Sequence, residues 1–221
     1  MTQHDHDKNV NSLIWEDLYK QGKSNLSYPN SFLVSLSHHL LNPAKQRRVL
    51  DYGFGTGANL IFMARRGFEV YGAEVSKSAV EIVKVKLSGE NLHADLRIIP
   101  DNRIPYDDDF FDVVIAWQVL YYNTWETLHQ AVQEINRVLR SGGIFIGTMA
   151  APGDVSHLNS TPLGNSLYAS NVPGQESAIV LIVDKDQLPQ CFPSKPLRTG
   201  HFVQSFEGIP TGCHWVVSYE K

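Results

Sequence analysis

The stretch that most constrains this chain is Val49-Leu50-Asp51-Tyr52-Gly53-Phe54-Gly55-Thr56-Gly57. Val49 and Leu50 predict a buried strand, which ends in an acid and then three glycines at alternate positions. The segment from Ala58 to Arg66 is apolar on one side and is closed by Gly67, as a short helix would be. A strand that passes through a glycine loop into a helix is a nucleotide-type site. Glycine allows a tight turn and a close approach of ligand to backbone. The helix start offers unpaired N–H groups and a positive dipole end, which suit a ligand carboxylate or phosphate. The spacing is G-x-G-x-G with an acid two residues ahead, which differs from the G-x-G-x-x-G of dinucleotide binders.

The length of 221 residues predicts one large domain, or one domain with a cap, and 43% hydrophobic residues are ample for a core. A net charge of −4 without a basic block argues against a stable nucleic-acid partner. Cys191 and Cys213 have neither CxxC nor metal-ligand spacing, so two reduced thiols, no metal and a cytoplasmic protein are expected. Met1 to Asn11 is polar and lacks the apolar core of a signal peptide, so a solvated tail is expected there. No apolar run approaches the ~20 residues of a membrane helix, which predicts no membrane partner.

Before the first strand, Ser12 to Lys20 predicts a helix, with Trp15 on its apolar face, and Asn30 caps a second helix carrying Phe32, Leu33, Leu36 and Leu40. Residues 1–47 are thus an N-terminal tail and helical cap ahead of a main domain over 48–221. Further strands are predicted at Phe68–Ala73, Leu96–Ile99, Phe111–Trp117 and Ile144–Met149. Ser76 caps a helix with Ala79, Val80, Val83 and Leu87 on one face; Asn123 with Glu126 forms a capping box before another with Leu128, Val132, Ile135 and Leu139, broken by Ser141-Gly142-Gly143. Strands alternating with helices predict an α/β fold, a mostly parallel sheet covered on both faces. Residues 150–177, punctuated by proline and glycine, predict a long lid loop. A last helix is expected within Asp184–Phe192, and two alternating strands at Gly200–Ser205 and Cys213–Ser218.

Asp51-Tyr52-Gly53-Phe54-Gly55-Thr56-Gly57 resembles the D-x-G-x-G-x-G motif of class I S-adenosylmethionine-dependent methyltransferases. Ile104-Pro105-Tyr106, the run Phe110 to Val114, and Val119-Leu120-Tyr121-Tyr122 resemble further segments of that family, as do Glu134 and the run Arg137 to Gly143. The resemblance spans residues 48–149 and implies a Rossmann-like seven-stranded sheet with an antiparallel last strand. It implies S-adenosylmethionine as cofactor and S-adenosylhomocysteine as product. In the glycine loop it assigns Asp51, Gly53, Gly55, Thr56 and Gly57 to the cofactor, with Asn59 just beyond. Glu74, 23 residues after Asp51, takes the ribose hydroxyls, flanked by Val75 and Ser76. Asp101 and Asn102 face the adenine, and Trp117, Gln118 and Tyr28 complete the cofactor set. Trp15, Tyr19, Tyr121 and Tyr122 are assigned to the acceptor. Tyr121-Tyr122 replaces a histidine pair frequent in the family, which leaves a base role at that position open.

The sulfonium of this cofactor already activates its methyl group, so a protein of this class holds the nucleophile in line and excludes water. A base is needed where the nucleophile is a hydroxyl or a protonated amine. His157, shortly after a strand end in a polar segment, is the candidate base; His201 and His214, in the last strands, are expected to be structural. The expected activity is methyl transfer to an O or N atom of a small-molecule acceptor. Sugars, amines, carboxylates and polyketide-like hydroxyls are all open. The alternatives are a nicotinamide-dependent Rossmann enzyme, against which the loop spacing argues, and a module that binds S-adenosylmethionine without turnover.

Overall fold

Two helices lie ahead of the sheet in a computed structural model that describes residues 3–101, 103–193 and 195–221. The first, α1 (Gln3–Lys20), starts well before the expected Ser12. No glycine or proline interrupts this run, and its middle is docked. The Asn11 side chain donates to the carbonyls of Tyr122 and Ile179 and accepts from the N–H of Ile179. The expectation of a solvated tail is therefore corrected at Asn11, which is buried. Glu16 adds a second anchor, taking hydrogen bonds from the hydroxyls of Ser76 and Ser78 and from the Ser78 N–H.

The second helix, α2 (Ser31–Leu40), is capped by Asn30, whose side chain accepts from the N–H groups of Phe32 and Leu33. Asn30→Ala removes this cap and is expected to cost about 1 kcal/mol of stability, read as a lower urea midpoint with an unchanged slope. An unmoved midpoint would show that the helix is held by packing alone.

From there strands and helices alternate: β1 (Arg48–Tyr52), α3 (Ala58–Arg65), β2 (Glu69–Glu74), α4 (Lys77–Gly89), β3 (Ala94–Ile98), β4 (Phe111–Ala116), α5 (Trp125–Val138) and β5 (Leu139–Ala150). The chain ends with the hairpin β9 (Arg198–Phe206) and β10 (Ile209–Glu220). The seven strands lie in the order β3-β2-β1-β4-β5-β10-β9, and only β10 runs against its neighbours. Val113, Val114, Ile115 and Ala116 of β4 are all fully buried, because both faces of the sheet are covered. One face packs Leu33 of α2, Leu60 and Met63 of α3 and Val83 of α4; the other packs Leu128 and Ile135 of α5. The strand order reverses between β1 and β4, the place where an open α/β sheet leaves a crevice beyond its carboxyl ends.

Three local expectations are corrected. The cap of α5 is Thr124 paired with Thr127, because the Asn123 side chain is used in the turn, donating to the Leu120 carbonyl. Ser141-Gly142-Gly143 lies inside β5 rather than before it, since Leu139 already pairs with Phe111. Residues 150–177 are largely ordered structure. They hold α6 (Val155–Leu158), β6 (Ser160–Gly164) and β7 (Leu167–Ser170), which with β8 (Ile179–Leu181) make a small antiparallel sheet. Asn165 and Ser166 turn β6 into β7 with φ of 51° and 62°, a two-residue hairpin geometry. The last helix, α7 (Leu188–Cys191), follows a 3-10 turn at Lys185–Gln187.

Candidate active site at the carboxyl edge of the sheet

The glycine loop after β1 forms the floor of the crevice, and its glycines have different tasks. Gly55 has φ +52°, and a Cβ there would lie 2.8 Å from the Tyr19 hydroxyl, so the missing side chain lets Tyr19 of α1 pass close over the loop. Gly57, with φ +80°, precedes α3, and its missing Cβ makes room for Val83 of α4. Its lack of a side chain thus serves helix packing. Gly53 lines the crevice beside Val119.

Glu74, at the end of β2, is buried, and its carboxylate ties the loop to the next turn. Oε2 accepts from the Gly55 N–H at 2.9 Å, and Oε1 accepts from the N–H groups of Val75 and Ser76 at 2.7 and 3.1 Å. Burial pushes its pKa up, against the pull of these three N–H groups. A carboxylate oxygen has two lone pairs, so Glu74, which lines the crevice, retains on Oε2 the capacity to accept from one ligand hydroxyl. Asp51 is buried beneath the loop with Oδ2 unpartnered. Burial, helped by the Glu74 charge, pushes its pKa up to about 8.

The crevice has two compartments. Glu74, Val75, Ile99, Asn11 and Tyr122 line the first; Gly55, Thr56, Asn59, Trp117 and Tyr121 line the second. Trp15, Tyr19 and Gln118 line both. Trp15 stacks on Tyr19 with centroids 5.6 Å apart and meets Tyr122 edge-on at 5.0 Å. Gln118 sits just after β4 with φ +56°, its N–H donating to the Thr148 hydroxyl. A non-glycine residue held in that region is the kind of backbone strain found at functional sites. Trp117 packs beside Phe32 and Phe202, which stack on each other, and its buried Nε1 has no partner.

Several expected site residues fall elsewhere. Tyr28 is 85% exposed and lines neither compartment; the Leu26 backbone lies there instead, its N–H bonded to the Thr56 hydroxyl. The Ser76 hydroxyl is used up between the Ala79 N–H and the Glu16 carboxylate. Asp101 is exposed and outside the lining, where Ile99 takes the corresponding place. Asn102 lies outside the described residues. The ring of His157 also points away: its Nδ1 accepts from the Gly153 N–H and its edge meets Tyr168. The histidine that touches a lining residue from behind is His214 of β10, whose Nε2 lies 3.3 Å from the Tyr121 hydroxyl. A histidine alternating with Val216 on the inward side of a strand is the signal that could have marked it.

Residues 50–147 match the family described as a methyltransferase domain. An uncharacterised methyltransferase of Mycobacterium tuberculosis is 31% identical over 103 residues, which is 47% of this chain and 40% of that protein. A ubiquinone biosynthesis O-methyltransferase of Mesorhizobium japonicum is 30% identical over 108 residues, 48% of this chain and 43% of that protein. The chain thus spans about two fifths of the length of the curated relatives it matches. In fold it is similar to the Burkholderia thailandensis 1,6-didemethyltoxoflavin-N1-methyltransferase, solved with that substrate and S-adenosylhomocysteine bound: the TM-score is 0.74 at 13% identity, over 100% of this chain and 91% of that one. Residues 50–147 thus match a methyltransferase domain, and the sheet that carries them has the fold of a solved methyltransferase. The donor set fits S-adenosylmethionine: a glycine floor that lines both compartments, a buried carboxylate with one spare lone pair beside apolar Ile99 and Val75, and an unpartnered Asp51 oxygen under the loop. Among the described residues, no helix is long and apolar enough to cross a membrane.

Proposed function

We propose that the protein transfers a methyl group from S-adenosylmethionine to an oxygen or nitrogen atom of a small-molecule acceptor. The observation that carries this reading is the joining of a ribose-type carboxylate, Glu74, and an aromatic-walled chamber by one glycine floor. In this reading Glu74 holds the ribose hydroxyls, Val75 and Ile99 flank the adenine, and the Gly53–Thr56 backbone faces the amino-acid end. The cofactor supplies an activated methyl group on a sulfonium. Trp15, Tyr19, Trp117 and Tyr121 line the second compartment, shape it and reduce its water. The segment 150–177 acts as a cover that selects the acceptor, through Gln175, which accepts from the Tyr122 hydroxyl at 3.0 Å, and through Gly174, which lies against Leu18 of α1.

Calorimetry on the full chain is expected to show S-adenosylmethionine and S-adenosylhomocysteine binding and no NAD binding. A screen of small alcohols, phenols, amines and carboxylates is then expected to release S-adenosylhomocysteine with at least one class. Tight NAD binding would overturn the cofactor reading. Cofactor binding without turnover of any acceptor would replace the enzyme by a binding module.

A further inference from the structure

Behind the second compartment lies a row of polar side chains that methyl transfer to an unprotonated amine would not need. Asp154, His214 and Tyr121 are 2%, 3% and 4% exposed and come from distant parts of the chain: the turn before α6, the middle of β10 and the loop after β4. The Tyr121 hydroxyl lies 3.3 Å from Nε2 of His214, and Nδ1 of His214, which makes no hydrogen bond, faces Oδ2 of Asp154 at 3.6 Å. Asp154 is fixed from both sides, Oδ1 accepting from the Ser156 N–H at 2.9 Å and Oδ2 from the Cys213 N–H at 2.8 Å. The His214 ring is held flat against Phe202, with centroids 5.2 Å apart. Tyr121 lines the compartment beside Trp117 and Gly55, so the row ends at the place assigned to the acceptor. A carboxylate and an imidazole buried together are expensive compared with the valines around them, and packing alone gives no reason for them.

Resting on the methyltransferase reading, we propose that Tyr121, His214 and Asp154 form a proton relay, and that the acceptor is accordingly an alcohol or a phenol. A proton on Nδ1 points at the Asp154 carboxylate and leaves Nε2 to accept from the Tyr121 hydroxyl, the tautomer a relay requires. As the acceptor oxygen gains the methyl group, its own proton passes to the Tyr121 oxygen and the Tyr121 proton passes to Nε2. An O–CH3 bond replaces an O–H bond, and the electron pair of the broken S–CH3 bond stays on sulfur as a neutral thioether. The imidazolium so formed faces Asp154 and returns its proton to water. The groups around the ring suit this cycle. Burial holds His214 below the ordinary histidine pKa, Asp154 opposes that shift and His201 of β9 adds to it. Cys213, adjacent in the chain, and Tyr122, beside Tyr121, are both kept protonated by burial, which raises their pKa values. Burial likewise raises the Tyr121 pKa well above that of a free phenol, so Tyr121 passes a proton on and does not persist as phenolate.

The test has two readouts on the full chain. The first is 15N NMR of the histidine rings at neutral pH without cofactor. His214 is expected with Nδ1 protonated and Nε2 bare, and Tyr121→Phe is expected to shift the Nε2 resonance. A ring protonated on Nε2 overturns the relay regardless of any activity. The second is the release of S-adenosylhomocysteine with phenols, alcohols and amines as probes. His214→Gln is expected to slow hydroxyl methylation about 100-fold or more, the scale of general-base catalysis, with cofactor affinity unchanged by calorimetry. Wild-type turnover should rise with pH through a midpoint below that of free histidine, and His214→Gln should lose that limb. Turnover of amines alone, or equal hydroxyl turnover in His214→Gln, overturns the proposal while leaving methyl transfer standing. Loss of cofactor binding in the wild type would instead remove the reading on which it rests.

Discussion

Gly55→Val is expected to abolish binding of S-adenosylmethionine to the folded protein. Two effects combine. The position has φ +52°, where a side chain with a Cβ is strained by roughly 1–2 kcal/mol and a β-branched one by more. The new Cβ also lies 2.8 Å from the Tyr19 hydroxyl and occupies the face of the loop that the cofactor must touch. The Tyr19 contact can be relieved, since it is the far end of a side chain; the loss of open backbone cannot. The double variant Gly55→Ala with Tyr19→Phe separates the two. It removes the hydroxyl that crowds the loop, and it should still fail to bind if the backbone is the cradle. Calorimetry, with circular dichroism to establish that the fold persists, decides the matter. Wild-type affinity in either variant would place the cofactor elsewhere.

Glu74→Ala is expected to weaken cofactor binding by about 10- to 100-fold, the loss of a charge-assisted acceptor worth roughly 1.5–3 kcal/mol. The same carboxylate also receives the N–H groups of Gly55, Val75 and Ser76, so alanine leaves three donors without their partner. Glu74→Gln keeps an acceptor for part of that set while removing the charge. If Gln binds nearly as well as Glu and Ala does not, Glu74 acts by holding the loop. If both lose affinity alike, its charge meets the ligand directly. Unchanged affinity in both would show that Glu74 is scaffold only.

The parallel half of the sheet was legible because its strands are short apolar runs ending at Asp51, Glu74 and Trp117, each followed by a turn and a periodic helix. The glycine spacing and the acid after the second strand marked residues that line the crevice. What sequence reading could not supply were contacts between distant parts of the chain. Asn11 looks like tail polarity and is a clamp on Tyr122 and Ile179. His157 is in the right segment but its ring is turned to the Gly153 N–H. His214 lies 93 positions from Tyr121, and only the antiparallel return of β10 beside β5 brings it behind that side chain. The small sheet after β5 was hidden by Pro162 and Gly164, which break the alternation by which a strand is recognised.

Trp15 and Tyr19 stand in the walls of both compartments, on a helix held at its middle by Asn11 and further along by Glu16. Ligands in the two compartments would therefore share one wall, and their affinities are linked to the extent that either of them orders α1. Whichever enters first and orders α1 lowers the cost of ordering it for the other, and reciprocity makes the gain equal in both directions. Such a device favours a ternary complex over either binary one. Glu16→Ala, which frees the helix from the start of α4, should reduce that cooperativity, measured as the change in cofactor affinity that a bound acceptor produces. If the coupling is as strong as in the wild type, the helix is a fixed wall and the two sites are independent of its motion.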